Sequence, residues 1–362
     1  MATLGFADLK DTALPTLWDA GELERIKLAD GATLASVTND VQLALLALNA
    51  SLLEMPHYGS LIAVQDDAAL EYNIGVSNGF EEATEYGVPD PKRGKTSGHM
   101  LPIKKYDRSL GWTQMYLREA RRTKLDADIR SLVVDARNLW QRNILTRFFK
   151  MEGEKVGTTA NASVPFADGG ATDSTYVPPQ SPDGETFSAS HDHFLRQDAI
   201  NLTNVTAAIE HLQEHGHAGP FDIIAARADA ASWATLVKNP EWAGIVYRAA
   251  TDRAAIADIT EYFGYIETDY GIARVWLTPR VPSGFYGAFK DYGPGDPRNP
   301  LRIRINPNWG FGFNLVPGMY VNAPVQMLLA YTEFGVGVGE DRTNGVCVKI
   351  AASGDYTTPT IA

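Results

Sequence analysis

The feature that most constrains the fold is a stretch of sequence, residues 112–152, that contains neither glycine nor proline. Within it, apolar residues recur at the three- and four-residue spacing of a helix that buries one face. Thr123 followed by Asp126 resembles a capping box at the start of such a helix. The pattern predicts one helix at about 124–150, roughly 40 Å long, which would serve as a structural spine.

Positive charge is concentrated in the middle of the chain. Residues 1–91 hold 3 basic and 15 acidic side chains, residues 92–150 hold 15 and 5, and residues 151–362 hold 14 and 24. This asymmetry indicates a partner, either nucleic acid or an acidic protein surface, although a solvated arginine-rich helix face is the alternative. The net charge of −12 argues against a module that binds nucleic acid through its total charge.

Several classes of protein are excluded by simple features. The single cysteine, Cys347, excludes an intrachain disulfide and a cysteine-based zinc site. No apolar run is long enough to cross a membrane. The N-terminal residues lack the basic region and apolar run of a secretory signal.

Two glycine-containing motifs fail as nucleotide sites. Arg93-Gly94-Lys95-Thr96 resembles a phosphate loop, but proline stands at position 89, where that motif needs its first glycine. The alternating glycines of Gly335–Gly339 do not open a helix, so they are not a dinucleotide fingerprint. In a strand, such glycines predict close approach of another backbone segment or a twist.

Histidines supply the weak candidates for a metal site. His211 and His215 are four residues apart on a predicted helix, a spacing that can hold zinc. We interpret them as surface histidines, and His191 and His193 as a weaker pair on a loop. No residues stand out as an acid–base pair, so the sequence predicts no catalytic site and no cofactor.

Local sequence patterns predict which segments of the chain form loops, helices and strands. Short alternating runs flank a polar, turn-rich tip at residues 77–98, and residues 153–187 have the composition of a loop. Residues 188–323 read as an α/β region, with a helix at Asn204–His215 and a buried strand at Phe221–Ala226. The chain is predicted to close with a hairpin between Phe334 and Ile350.

This order of parts resembles the major capsid proteins of tailed bacteriophages, which have the Hong Kong 97-type capsid fold. The most family-like stretch begins at Glu82-Ala83-Thr84-Glu85 and passes through Lys104-Lys105 into the spine helix. The second is the Phe334–Ile350 hairpin, which contains Arg342, Asn344 and Gly345.

The resemblance implies an α+β phage-capsid fold in four parts. They are an N-terminal arm (1–56), an extended E-loop hairpin (57–114), a discontinuous P-domain with the spine helix (115–187 and 324–362), and an α/β A-domain (188–323).

The resemblance further implies a structural, non-enzymatic function. Subunits of this family form hexamers and pentamers, close an icosahedral shell and enclose double-stranded DNA without sequence-specific binding. The protein would assemble in the host cytoplasm and reside in the virion, with no membrane partner. Because only about 56 residues precede the first loop, we expect a separate scaffolding protein, together with a portal and a possible decoration protein.

Charged residues of the middle block are the predicted inter-subunit contacts. They are Glu81, Glu82, Glu85, Lys92, Arg93, Lys95, Lys104, Lys105, Arg121 and Arg122. Some members of the family join an E-loop lysine to a P-domain asparagine, and Lys92, Lys95 and Asn344 occupy comparable elements here.

Two alternative functions fit parts of the sequence. An encapsulin-like compartment would share the fold but enclose protein cargo. A zinc-dependent enzyme would be built around His211 and His215.

Overall fold

The computed structural model describes residues 26–53, 55, 58–73, 96–237, 262–317, 325–340 and 342–361. Residues 1–25 of the predicted arm and the tip of the predicted E-loop lie outside the described residues. Six predicted contact residues belong to that tip and stay predictions: Glu81, Glu82, Glu85, Lys92, Arg93 and Lys95.

The described residues form five α-helices, of which some begin at a side-chain cap. They are α1 Leu34–Leu52, α2 Gln114–Glu119, α3 Arg122–Phe149, α4 Leu202–Gln213 and α5 Ala230–Trp233. At the start of α1 the Thr33 side chain accepts a hydrogen bond from the Ser36 backbone N–H, and Asn201 caps α4 in the same way. Each cap satisfies a backbone donor that the first turn leaves without a partner.

The predicted spine is α3. Its buried face carries Leu125, Ile129, Leu132, Ala136 and Trp140, three or four residues apart. The helix begins one residue before the predicted capping box, with Arg121 in an extended conformation and without a side-chain capping bond. The capping-box prediction is therefore wrong, although the predicted helix is confirmed.

One sheet is built around a long strand that packs on the spine. Its strands are β1 Ile62–Gln65, β4 Lys104–Thr113, β12 Leu301–Ile305, β13 Asn314–Pro317 and β14 Val325–Val338. The central strand β14 pairs antiparallel with β12 and β13 and also with all ten residues of β4. On the face of β14 toward the spine, the Phe334 ring lies 5.1 Å from the Trp140 ring of α3.

The opposite face of β14 is crossed by the segment that connects β3 Thr96–Met100 to β4. A Cβ atom at Gly335 would lie 1.9 Å from the Pro102 carbonyl oxygen, and one at Gly337 would lie 2.4 Å from the Leu101 side chain. At position 335, where the contact is with backbone, only glycine permits this approach. The predicted close backbone contact at the alternating glycines is confirmed.

The second sheet contains six strands among the described residues. In spatial order they are β7 Phe194–Gln197, β15 Val346–Ile350, β11 Phe285–Lys290, β8 Phe221–Ala226, β10 Gly271–Thr278 and β9 Tyr262–Thr268. Every residue of β8 is buried, as its largely apolar sequence predicts, and this includes the one charged residue, Asp222. The apolar face of α4, with Val205, Ile209 and Leu212, belongs to the same core.

Two short hairpins lie outside these sheets. In the first, β2 Ala69–Asn73 pairs antiparallel with β3, so that strands flank the predicted E-loop tip. In the second, β5 Glu154–Val156 pairs with β6 Thr159–Ser163, within a segment that the composition predicts to be loop.

The predicted hairpin between Phe334 and Ile350 is wrong. Strand β14 belongs to the first sheet, whereas β15 pairs with β11 and β7 in the second. The turn signal Asn344-Gly345 therefore lies in a connection between two sheets. Strands also group across the predicted P- and A-domain boundaries, because β12 and β13 join β14 while β15 joins the α/β region.

Replacing Gly335 with alanine should strongly destabilise the fold. The new methyl group would meet the Pro102 backbone, so β14 or the crossing segment must move, at a cost of about 2–4 kcal/mol in the free energy of unfolding. Gly337→Ala is the matched control. It meets the end of the Leu101 side chain and should cost about half as much. Urea unfolding measures the free energy of unfolding of both variants. If both lose only a small and equal amount, the close contact of Pro102 with Gly335 is contradicted.

Candidate assembly surface and histidine cluster

Lys104 and Lys105 lie side by side at the start of β4 and point to opposite faces. The Lys104 side chain is 56% exposed and its Nζ lies 3.6 Å from a Glu154 carboxylate oxygen. The Lys105 side chain is 73% exposed and its Nζ lies 3.6 Å from a Glu333 carboxylate oxygen. Both lysines have acidic partners in their own chain, but their exposure leaves their ammonium groups accessible to a neighbouring molecule.

Arg121 and Arg122 are adjacent in sequence but differ in their contacts. Arg121 is exposed at the N-terminal end of α3. Arg122 forms ion pairs with Asp40 of α1 and Asp126 of its own helix. The Arg122 backbone N–H also donates to an Asp30 carboxylate oxygen at 2.8 Å. Arg122 therefore joins the α1 region to the spine within one chain.

A cleft of about 550 Å³ runs between β4 and α3. Apolar residues line it together with Lys105, Arg108, Asp135 and Arg142. Arg108 crosses from β4 to the spine, where it pairs with Asp135 and donates to the Ser131 carbonyl oxygen at 2.8 Å. Contacts within the chain therefore fix β4 and α3, which both belong to the basic middle block, relative to each other.

The structure brings four histidines into one cluster. His191 and His193 lie just before β7, and His211 and His215 lie at the end of α4 and just beyond it. The Nε2 atoms of His191, His193 and His215 form a triangle with sides of 3.2, 3.2 and 3.1 Å. His211 and His215 are partly buried and face the other pair, which corrects their interpretation as surface histidines.

Burial is the main cause of low pKa values in this cluster. It lowers the pKa of His191 to about 4 and that of His215 to about 3, with further lowering by neighbouring histidines. The pKa values of His193 and His211 are also lowered, chiefly by burial. The imidazoles are therefore uncharged at neutral pH, and each keeps a nitrogen lone pair.

The long loop before β7 is anchored by a buried arginine. The Arg342 guanidinium donates to the carbonyl oxygens of Pro165 and Phe166 at 2.8 and 3.3 Å and lies 4.0 Å from the centre of the Tyr176 ring. Its charge is partly balanced by Asp168, whose carboxylate lies 3.7 Å away. A segment that the sequence predicts only as a loop is therefore held by a fully buried cation.

Asn344, a residue considered for covalent joining of subunits, is committed to contacts in its own chain. Its side chain is buried. Its Oδ1 accepts from the Lys290 backbone N–H at 2.7 Å, and its Nδ2 donates to the carbonyl oxygens of Lys290 and Arg298. These bonds give Asn344 a structural role between the two sheets.

The described residues combine a long spine helix, the hairpin of β2 and β3, and two sheets. Among solved structures, the chain is similar to one of Mycobacterium phage Patience, with a TM-score of 0.61 and 21% identity. The match covers 96% of this chain and 97% of that chain, and it confirms the predicted phage-capsid fold.

Two further similarities are weaker. The capsid of an empty GTA particle matches with a TM-score of 0.46 and 13% identity, over 84% of this chain and 90% of that chain. The mature capsid of bacteriophage PhiM1 matches with a TM-score of 0.45 and 10% identity, over 82% of this chain and 87% of that chain. No protein-family model and no curated protein matches the chain. Among the described helices, none has the length and apolarity of a membrane span.

Replacing Arg122 with glutamine should weaken the attachment of the α1 region to the spine. Because the ion pairs are partly exposed, we expect a loss of about 0.5–1 kcal/mol in the free energy of unfolding, smaller at high salt. Urea unfolding at two salt concentrations measures it. Arg130→Gln, at an exposed position of the same helix, is the control. A loss that depends on protein concentration would instead place Arg122 between subunits.

Proposed function

We propose that this chain is the major capsid protein of a tailed bacteriophage. Copies of it assemble into hexamers and pentamers, which form an icosahedral shell around double-stranded DNA in the virion. The observation that carries the proposal is the fold, which matches the phage Patience structure over nearly the whole of both chains. A scaffolding protein, a portal and a decoration protein are further proposed partners.

The distribution of charge supports self-assembly. Exposed cations at Lys104, Lys105 and Arg121 belong to the basic middle block, and the regions before and after it are acidic. Complementary charges on neighbouring subunits set the register of an interface and speed encounter more than they add affinity. Repeated over many copies, such weak contacts produce a stable shell.

The hairpin of β2 and β3 also supports assembly. A two-stranded hairpin is marginally stable alone in water and gains stability from another element or another chain. At its base Leu70 and Leu101 are fully buried, which attaches it to the body of the subunit.

The acidic remainder of the chain suits a container for DNA. A net charge of −12 opposes tight, irreversible binding of DNA to the shell. The proposed contact with DNA is therefore enclosure, without recognition of base sequence.

Purified full-length protein should assemble into shells, capsomers or tubes visible by electron microscopy. Particles produced together with the other phage structural proteins should contain DNA that resists added nuclease. A protein that stays a monomer at every concentration would contradict the assembly proposal. Shells that enclose protein cargo without DNA would favour the encapsulin-like alternative.

Arg121→Glu separates assembly from folding. A negative residue at the start of α3 favours the helix by about 0.3–1 kcal/mol, so the free energy of unfolding should not fall. Assembly should weaken if Arg121 meets an acidic surface of a neighbouring subunit, and light scattering measures its rate and extent.

Lys155→Glu is the control for this substitution. It makes the same charge change at an exposed residue outside the predicted contacts, and assembly should stay near that of the unmodified protein. If Arg121→Glu assembles as well as the control, Arg121 is not an inter-subunit contact.

A further inference from the structure

The four-histidine cluster is built from two separate elements that the fold brings together. His191 and His193 come from the loop before β7, and His211 and His215 come from the end of α4. The Phe187 ring covers one side, with its centre 4.7 Å from the His191 ring and 4.4 Å from the His215 ring. The result is a compact, partly enclosed group of nitrogen ligands.

Hydrogen bonding sets the direction of the most buried ring. His193 is fully buried, and its Nδ1 lies 2.9 Å from the Gly345 carbonyl oxygen. A carbonyl oxygen only accepts, so this nitrogen carries the hydrogen and donates it. The Nε2 lone pair of His193 therefore points into the cluster, the arrangement in which a carbonyl orients a metal-binding histidine.

The triangle of Nε2 atoms does not form a satisfactory set of hydrogen bonds. Each imidazole nitrogen carries either one hydrogen or one lone pair, directed in the plane of its ring. Three nitrogens, each 3.1–3.2 Å from the other two, therefore cannot make three well-directed bonds with one another. A cation at the centre would accept all three lone pairs together.

The size of the triangle fits a transition-metal ion. With metal–nitrogen bonds of about 2.0–2.1 Å, two ligands of a tetrahedral ion lie about 3.3–3.4 Å apart and two adjacent ligands of an octahedral ion about 2.8–3.0 Å apart. The observed sides of 3.1–3.2 Å lie between these values. Small rotations of the rings would reach either geometry.

His211 supplies a fourth nitrogen. One ring nitrogen each of His191, His193 and His211 lies within 4.8 Å of the other two. The His211 Nδ1 is buried and makes no hydrogen bond to the described residues. His211 and His215 are one helical turn apart, a spacing that places two imidazoles on the same side of a metal ion.

We propose that His191, His193, His211 and His215 form a binding site for a divalent transition-metal ion, with zinc as the best match. Imidazole nitrogen favours zinc, copper and nickel, whereas calcium and magnesium require oxygen ligands. A tetrahedral zinc ion held by all four histidines has no open position, so the site is structural and not catalytic. This inference does not depend on the proposed capsid function.

The metal would join the long loop to the α/β region. The loop is already held by Arg342 at residues 165 and 166, and the site would attach its far end to α4. Because His193 also bonds to Gly345, the ion would stabilise the connection between the two sheets. Metal binding to the folded state should raise the thermal midpoint of unfolding.

Metal analysis and zinc titration of the full-length protein test the proposal. After treatment with a chelator, the protein should bind one zinc ion per chain and unfold at a higher temperature with zinc than without it. Cobalt should bind in its place and give the visible absorption of a four-coordinate ion. His191→Ala and His215→Ala remove partly exposed ligands and should each weaken zinc binding by at least about 100-fold, because loss of a residue that only orients a ligand already costs about 10–100-fold.

His217→Gln is the matched control. Its imidazole bonds to Tyr292 and Thr343, so zinc affinity should remain within about threefold of the unmodified protein. The proposal is overturned if the unmodified protein binds no zinc above background. It is also overturned if a double variant, with both His191→Ala and His215→Ala, binds zinc as tightly as the unmodified protein. An unchanged affinity in His211→Ala would remove His211 from the ligand set.

Discussion

The described structure depends on one close crossing of the backbone. The segment Leu101–Pro102 lies directly on β14, where the Pro102 backbone leaves no space for a side chain at Gly335 and the Leu101 side chain packs against Gly337. On the opposite face of the same strand, the Phe334 ring packs against the Trp140 ring of the spine helix. This strand is thus covered on both faces, and the hairpin that precedes Leu101 is fixed relative to the spine helix.

A second constraint operates between the two sheets, where buried polar groups add specific bonds to the shared apolar core. Arg342 and Asn344 occupy the connection from β14 to β15, and their side chains bond to backbone atoms of the long loop and of β11. Removing charged and amide groups from water is costly unless they are fully bonded. These bonds therefore position the connection specifically and also place Gly345 beside His193.

Predictions from the sequence succeeded where a regular period was present. The spine follows from the spacing of Leu125, Leu132 and Trp140, and β8 from the largely apolar sequence of Phe221–Ala226. The close contact at Gly335–Gly339 also followed from residue type. The predicted hairpin at Asn344-Gly345 failed because a local turn signal does not specify which sheet the next strand will join. There, tertiary bonds from Asn344 to Lys290 and Arg298 decided the outcome.

The sequence by itself determined the spine helix and the need for glycine at a crossing, because these depend on local periodicity and on the volume of a side chain. Only the tertiary structure decided that His191 and His193 meet His211 and His215. The first pair lies on a loop and the second at a helix end, so no local period relates them. Their meeting depends on how the loop is anchored, which long-range bonds to Arg342 and Gly345 determine.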